Sequence, residues 1–181
     1  MTSPLLRSAT TADLPAITAI YAHHVQTGLA SFETAAPTLA EMTQRYTAIT
    51  GAGYPYLVAE RDGALLGYAY ASAYRTRPAY RFTVEDSIYV APDAIGLGVG
   101  RALLTRLIDA CEQRGDRQML AVIGDSGNAS SIAVHRACSF TLKCTLDAVG
   151  FKFGHWVDSV IMQRPLGQSD RTLPTDPSRA P

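Results

Sequence analysis

Net charge is the first thing this chain does without: its 16 Lys and Arg balance its 16 Asp and Glu, for a formal charge of +0. A chain with no excess of either sign has no general attraction to nucleic acid or to an anionic membrane. It has no apolar run approaching the ~20 residues that span a bilayer. Met1-Thr2-Ser3-Pro4 offers neither the basic start nor the apolar stretch of a signal peptide. These absences predict a cytoplasmic protein whose partners include neither nucleic acid nor membrane. Cysteine is scarce as well. Cys111, Cys138 and Cys144 are odd in number and show no CxxC spacing, which excludes a disulfide framework and predicts free buried thiols. No His, Cys and acid spacing argues for a metal.

What is present is the composition of an ordinary soluble domain, in 181 residues that predict a single unit. That unit is expected over 1–166. Residues 167–181, rich in Pro, Ser, Thr and Asp, read as a flexible tail. Leu5 to Ala9 reads as a strand. Leu14, Ile17, Ile20, Tyr21 and Val25 recur at helical spacing behind the cap residues Thr10 to Asp13. Gly28 to Pro37 is a loop carrying Phe32 and Glu33, and Thr38 to Ile49 a second helix. Tyr56 to Glu60 and Ala64 to Ala73 are strands joined by Asp62-Gly63, a strong hairpin signal. Arg81 to Val90 is a further strand. A helix then runs to about Arg114, with Gly115 where a terminating glycine is expected. Gln118 to Ile123 is a strand, Asn128 to Cys138 a short helix, and Thr141 to Phe151 and Val157 to Gln163 closing strands. This order implies an α/β (α+β) protein with a mixed sheet and helices on its faces.

Two constellations carry chemistry. Gly96, Gly98 and Gly100 lie between a strand and a helix, where glycines let the backbone approach a phosphate and the helix start offers unpaired N–H groups. A dinucleotide fingerprint would need Gly at 101 or 103, where Arg and Leu stand, and the GK[ST] of a P-loop is absent. Arg101 adds a cation suited to a pyrophosphate. In the second constellation, Asn128, Ser131 and His135 fall at i, i+3 and i+7 on one helix face.

The run Ile95-Gly96-Leu97-Gly98-Val99-Gly100 resembles the acyl-CoA pyrophosphate loop of the GNAT acetyltransferases, with Ile95 where Gln or Arg is usual. His135-Arg136-Ala137-Cys138-Ser139-Phe140 is similar to that family's Tyr-x-x-x-Gly-Phe, with His for Tyr and Ser for Gly. His135, the strand Thr83-Val84-Glu85-Asp86-Ser87-Ile88-Tyr89-Val90, and Gly150 to Asp158 resemble the phosphinothricin and methionine sulfoximine branch more narrowly. The resemblance covers about residues 4–166. It implies a mostly antiparallel central sheet that splays, with acetyl-CoA in the wedge.

On the same ground, Ile88, Tyr89 and Val90 would bond the pantetheine arm, and Ile95 to Arg101, Asn128 and Ser131 would hold the rest of the cofactor. An amine must lose a proton before it attacks a thioester. Glu85, in an apolar strand, is the candidate base. His135 would protonate the leaving thiolate or share the base role. Asp86 should point to the opposite face from Glu85. Arg75, Arg77 and Arg81 could grip an acceptor carboxylate or phosphinate. Thr83 is counted with them, and Phe32, Tyr80 and Trp156 could wall the acceptor. The implied activity is acetylation of a small amino-acid-like amine by a homodimer. Acetylation of a protein N-terminus or lysine, and a non-catalytic acyl-CoA-binding domain, remain alternatives.

Overall fold

The computed structural model describes residues 4–174. Seven strands form one sheet in the order β1-β2-β3-β4-β5-β7-β6. They are β1 (Leu5–Ser8), β2 (Tyr56–Arg61), β3 (Ala64–Ala73), β4 (Thr83–Val90), β5 (Gln118–Gly124), β6 (Thr141–Lys152) and β7 (His155–Pro165). Every neighbouring pair is antiparallel except β4 and β5, which run parallel. The helices are α1 (Leu14–Thr27), α2 (Leu39–Gly51), α3 (Val99–Gln113) and α4 (Ala129–Ala137). This is the mixed, mostly antiparallel sheet with flanking helices expected from the sequence.

Strand alternation sorts the core onto two faces. Tyr68 and Tyr70 of β3 and Tyr89 of β4 share one face with Tyr56 of β2, and their rings stack at centroid distances of 4.9 to 6.4 Å. Helices α1 and α2 cover this face, where Tyr21 meets Tyr89 edge-on at 4.8 Å and Tyr46 meets Tyr56 at 5.2 Å. The other face carries small residues, Gly67, Ala69 and Ala71. There α3 settles with Leu103, Leu104 and Leu107 fully buried.

Both hairpins turn on two residues with positive φ: Asp62 and Gly63 at 52° and 78°, and Phe153 and Gly154 at 50° and 78°. That geometry matches the twist of the strands it joins. The second hairpin lets β7 start at His155, two residues before the expected Val157. The strand expected from Arg81 starts instead at Thr83. Pro78–Tyr80 forms a 3-10 turn, and the Arg81 amide is committed to the Pro78 carbonyl at 3.1 Å. Cys111 and Cys138 are buried, but Cys144 is exposed on β6, which corrects the expectation of three buried thiols. Of the expected tail, residues 175–181 lie outside the described residues. Its first part is tied to the domain: Arg117 donates to the Ser169 carbonyl at 3.1 Å, and Gln118 to the Ser169 hydroxyl at 2.7 Å.

The sheet edge is fastened by charge. Arg7 of β1 reaches both Asp13 oxygens at 2.8 Å and Glu60 of β2 at 2.7 Å. The Asp13 carboxylate is buried and also accepts from the Thr10 amide at 2.7 Å. The Arg7 hydrogen bonds hold its pKa down at about 2. A carboxylate with a lowered folded pKa contributes stability above the ordinary carboxylate range and loses it as pH falls toward the folded value. Asp13→Asn should therefore cost about 1–2 kcal/mol at neutral pH. Urea melts at pH 7 and near pH 2 check this, because the deficit should shrink toward zero at the acid end.

Candidate active site

Strands β4 and β5 stay together for only four residues each, Thr83–Asp86 against Gln118–Ala121. Beyond Asp86, β4 keeps its ladder to β3 as far as Val90, and β5 keeps its ladder to β7 as far as Gly124. The two arms diverge around a cleft of about 610 Å³. One short segment bridges both arms. His24 near the end of α1 donates from Nε2 to the Val90 carbonyl at 2.8 Å, since a carbonyl can only accept. Burial lowers the His24 pKa against the opposing pull of the Val90 carbonyl, which suits a neutral donor. At the other arm, a Cβ on Gly124 would lie 2.5 Å from the Leu29 carbonyl oxygen, so glycine alone lets the loop after α1 pass. His24 and Ala30 both line the cleft.

The cleft opens at the glycine turn. Gly96 and Gly98 have φ of 81° and 78°, which residues with a Cβ rarely adopt. Gly98 caps α3 without a side chain, so the N–H groups of the first turn are left to the cleft side. A Cβ at Gly100 would meet Val90 at 3.5 Å and Val134 at 4.0 Å, narrowing the passage. These features fit an extended ligand with a pyrophosphate near its end. Ile88, Tyr89, Val90, Ile95, Gly96, Gly98, Val99, Gly100 and Arg101 all line the cleft, whereas Leu97 does not and is exposed. Asn128 and Ser131 line it too. Asn128 stands just before α4 and caps it, its Oδ1 accepting from the Ser131 amide at 3.2 Å.

At the closed end stand Asp86 and His135, both buried, with His135 Nε2 3.0 Å from Asp86 Oδ2. His135 Nδ1 faces the Ser131 carbonyl at 2.7 Å. Both ring nitrogens thus have protein partners, and neither points freely at the cleft. The expected role of His135 as acid or base requires breaking one of these bonds. Asp86 is the partner that sequence reasoning missed. The alternation rule had placed it correctly, opposite Glu85, but nothing in the sequence paired it with residue 135.

Glu85 is half-buried on the tyrosine face and does not line the cleft. Its pKa is raised by burial and by Asp86, against a smaller downward pull from Arg75. Thr83 and Ser87 share its face of β4. Of the residues expected to hold an acceptor, Arg75, Arg77 and Tyr80 are exposed in the β3–β4 connection, and Arg75 alone acts on Glu85. Arg81 donates to the Pro78 carbonyl at 3.1 Å and lies over the Phe82 ring. The Phe32 ring packs on Gly150, where a Cβ would meet it at 2.5 Å. Lys152, buried beside it, donates to the Ser31 carbonyl at 2.7 Å. Glu33 is held by Tyr21 at 2.9 Å and Arg45 at 2.6 Å. Trp156 is exposed beside Phe151, away from Glu85's strand. Among the described residues there is no group of His, Cys, Asp or Glu that could hold a metal ion.

Comparison with known proteins places this geometry. Residues 17–140 match the model of the acetyltransferase (GNAT) family. The chain is 62% identical over 162 residues to a phosphinothricin N-acetyltransferase of Alcaligenes faecalis, covering 90% of this chain and 82% of that protein. It is 40% identical to an L-methionine sulfoximine/L-methionine sulfone acetyltransferase of Salmonella typhimurium, covering 90% and 95%. Among solved structures, it is similar to a GNAT superfamily phosphinothricin acetyltransferase from Sinorhizobium meliloti in complex with AcCoA. That match has a TM-score of 0.94 and 51% identity over 97% of this chain and 95% of that one.

The half-buried Glu85 has a stability consequence that needs no ligand. A carboxyl whose folded pKa is raised favours the fold while protonated and opposes it as pH rises through that pKa. Glu85→Gln should therefore melt at a higher temperature than the parent at pH 7, with the gain fading below about pH 4. Thermal melts at the two pH values decide it. A variant less stable at both would contradict the burial reading.

Proposed function

This chain is a member of the acetyltransferase (GNAT) family, and we propose that it acetylates the primary amine of a small amino-acid-like acceptor of the phosphinothricin, methionine sulfoximine or methionine sulfone type. The observation that carries the reading is the wedge between β4 and β5 with a side-chain-free helix start at its mouth. Acetyl-CoA supplies the acetyl group on a thioester, from which the acceptor nitrogen takes it as the C–N bond forms and the C–S bond breaks. The names of the close relatives support this donor and acceptor class.

The chain's own residues divide the remaining work. The glycine turn and Arg101 hold the phosphates. Ile88 to Val90 have no partner on β5 and lie along the wedge, where the backbone not already bonded to β3 or His24 can bond an amide-bearing arm. Glu85 takes the ammonium proton, directly or through a water. Its raised pKa brings it nearer to the pH at which it works, which favours general-base action. Arg75 beside Glu85 suits an acceptor carboxylate. Phe32 and Tyr80, both exposed, stand ready to wall the acceptor.

Two copies pair in this reading, and the cytoplasm is the expected location. β6 is an edge strand whose first nine residues, Thr141 to Val149, are exposed. With its hairpin it presents Leu142, Leu146, Val149, Phe151, Phe153 and Trp156 to solvent. A long apolar edge left open invites pairing. Because Phe32 rests on Gly150, such an interface would lie beside the acceptor side of the cleft.

Thiol release from acetyl-CoA tests the function, with an amino-acid panel including phosphinothricin, methionine sulfoximine and methionine sulfone, and with peptides as the competing class. Turnover is expected with at least one of the three. Glu85→Gln should lower kcat by about 100-fold or more while acetyl-CoA affinity holds. Unchanged kcat removes Glu85 as the base, and turnover on peptides alone removes the acceptor class. Sedimentation tests the pairing: a dimer is expected, and Leu146→Glu with Phe151→Glu should return a folded monomer.

A further inference from the structure

The hydrogen-bond geometry at the closed end of the cleft fixes where protons sit. The Ser131 carbonyl can only accept, so His135 Nδ1 carries a hydrogen and donates it at 2.7 Å. The second nitrogen, Nε2, lies 3.0 Å from Asp86 Oδ2. If His135 were neutral with this Nδ1–H tautomer and Asp86 ionised, a nitrogen lone pair would face a carboxylate lone pair with no hydrogen between them. A contact at 3.0 Å therefore requires a second proton, on Nε2 or on Oδ2. The side chains are 5% and 2% exposed, and Asp86 Oδ1 has no hydrogen-bond partner in the protein. An isolated carboxylate buried in that way is costly, and a shared proton or an imidazolium partner relieves the cost.

The position of the pair is as specific as its geometry. Asp86 is the last β4 residue paired with β5, opposite Ala121. His135 belongs to α4, whose Ser131 and Val134 line the cleft. Phe140 packs edge-on against the imidazole at 5.1 Å and closes its far side.

We infer that Asp86 and His135 form a proton-holding clasp that ties α4 to β4 where the strands part, making Asp86 a positioning residue that sets the width of the acetyl-CoA cleft. The inference rests on the proposed acetyl-CoA site but not on the acceptor or on Glu85. The imidazole responds to its surroundings in the matching direction. Burial pulls its pKa down, and the hydrogen bond and charge of Asp86 push it up further, for a net rise. The other titratable or charged groups near the clasp are Glu85 on the opposite face of β4, and His24 of α1 and Arg101 of α3 across the cleft.

Two readouts test the clasp. The first is the ¹⁵N spectrum of the His135 ring near pH 8, above the ~6.5 of free histidine, assigned by its loss in His135→Gln. Both nitrogens should read as hydrogen-bearing or sharing a proton, and a bare Nε2 overturns the proposal without any variant of Asp86. The second is calorimetric binding of acetyl-CoA. Asp86→Ala should weaken it by about tenfold, the loss of one charge-assisted hydrogen bond. Asp86→Asn can donate its amide to a neutral His135 and should recover most of that loss, with kcat recovering in step. Asp86→Ala binding as tightly as the parent overturns the positioning role. So does Asp86→Asn binding acetyl-CoA normally while losing turnover about 100-fold, which would put the shared proton into the chemistry. A parent that binds acetyl-CoA but turns over no amino acid would fail the acceptor reading and leave both readouts standing.

Discussion

Four residues of β4, Ser87 to Val90, keep their partner on β3 and have none on β5, and the rest of the molecule is arranged around that separation. Parallel neighbours in a sheet ordinarily lie about 4.8 Å apart, with backbone groups paired across the gap. Pulling two strands apart leaves those groups unpaired and opens space between them, which is stable only if something else holds the arms. Here the stretch from His24 to Ala30 does so on one side, bonding Val90 and abutting Gly124. On the other side α3 and α4 supply Gly100 and Val134, and α4 also presents His135 to Asp86 at the closed end. Three elements thus frame the parted strands: the His24–Ala30 stretch, α3 and α4.

The same separation divides the chemistry between the two faces of β4. Residues 84, 86, 88 and 90 look toward α3 and α4, while 83, 85, 87 and 89 look toward α1 and α2. Asp86 accordingly meets His135, and Glu85 sits among tyrosines and loop residues on the far side. Two adjacent carboxylates acquire different environments because a strand turns successive side chains in opposite directions. In the proposed reaction this puts the donor in the wedge and the acceptor across β4, with the transfer at the point where the strands part.

The element order, the Asp62-Gly63 hairpin and the glycine turn were legible in the sequence, because each is a local signal, whereas the Phe153-Gly154 turn was not read. Asp62-Gly63 forces its turn through positive φ, and Gly96 and Gly98 do the same before α3. The alternation rule likewise separated Glu85 from Asp86. What stayed hidden depends on contacts across the chain. Asp86 and His135 are 49 positions apart, and Lys152 and Ser31 are 121 apart. Nothing in their local sequence announces these pairs. The role of His24 is equally silent in the sequence, because its partner is a backbone carbonyl, which carries no side-chain signature. Arg77 and Arg81 looked like equals of Arg75, but Arg75 is the one that acts on Glu85, while Arg81 donates to the Pro78 carbonyl of the 3-10 turn.

The central claim is that the parted strands receive acetyl-CoA. Amide hydrogen exchange with and without acetyl-CoA addresses it directly, because the claim concerns backbone groups along the cleft. The account predicts slowed exchange at Ile88 to Val90 and at Gly96 to Arg101, with little change in β1 and β2. Protection confined to other parts of the sheet, or none at either segment while acetyl-CoA is bound, would contradict it.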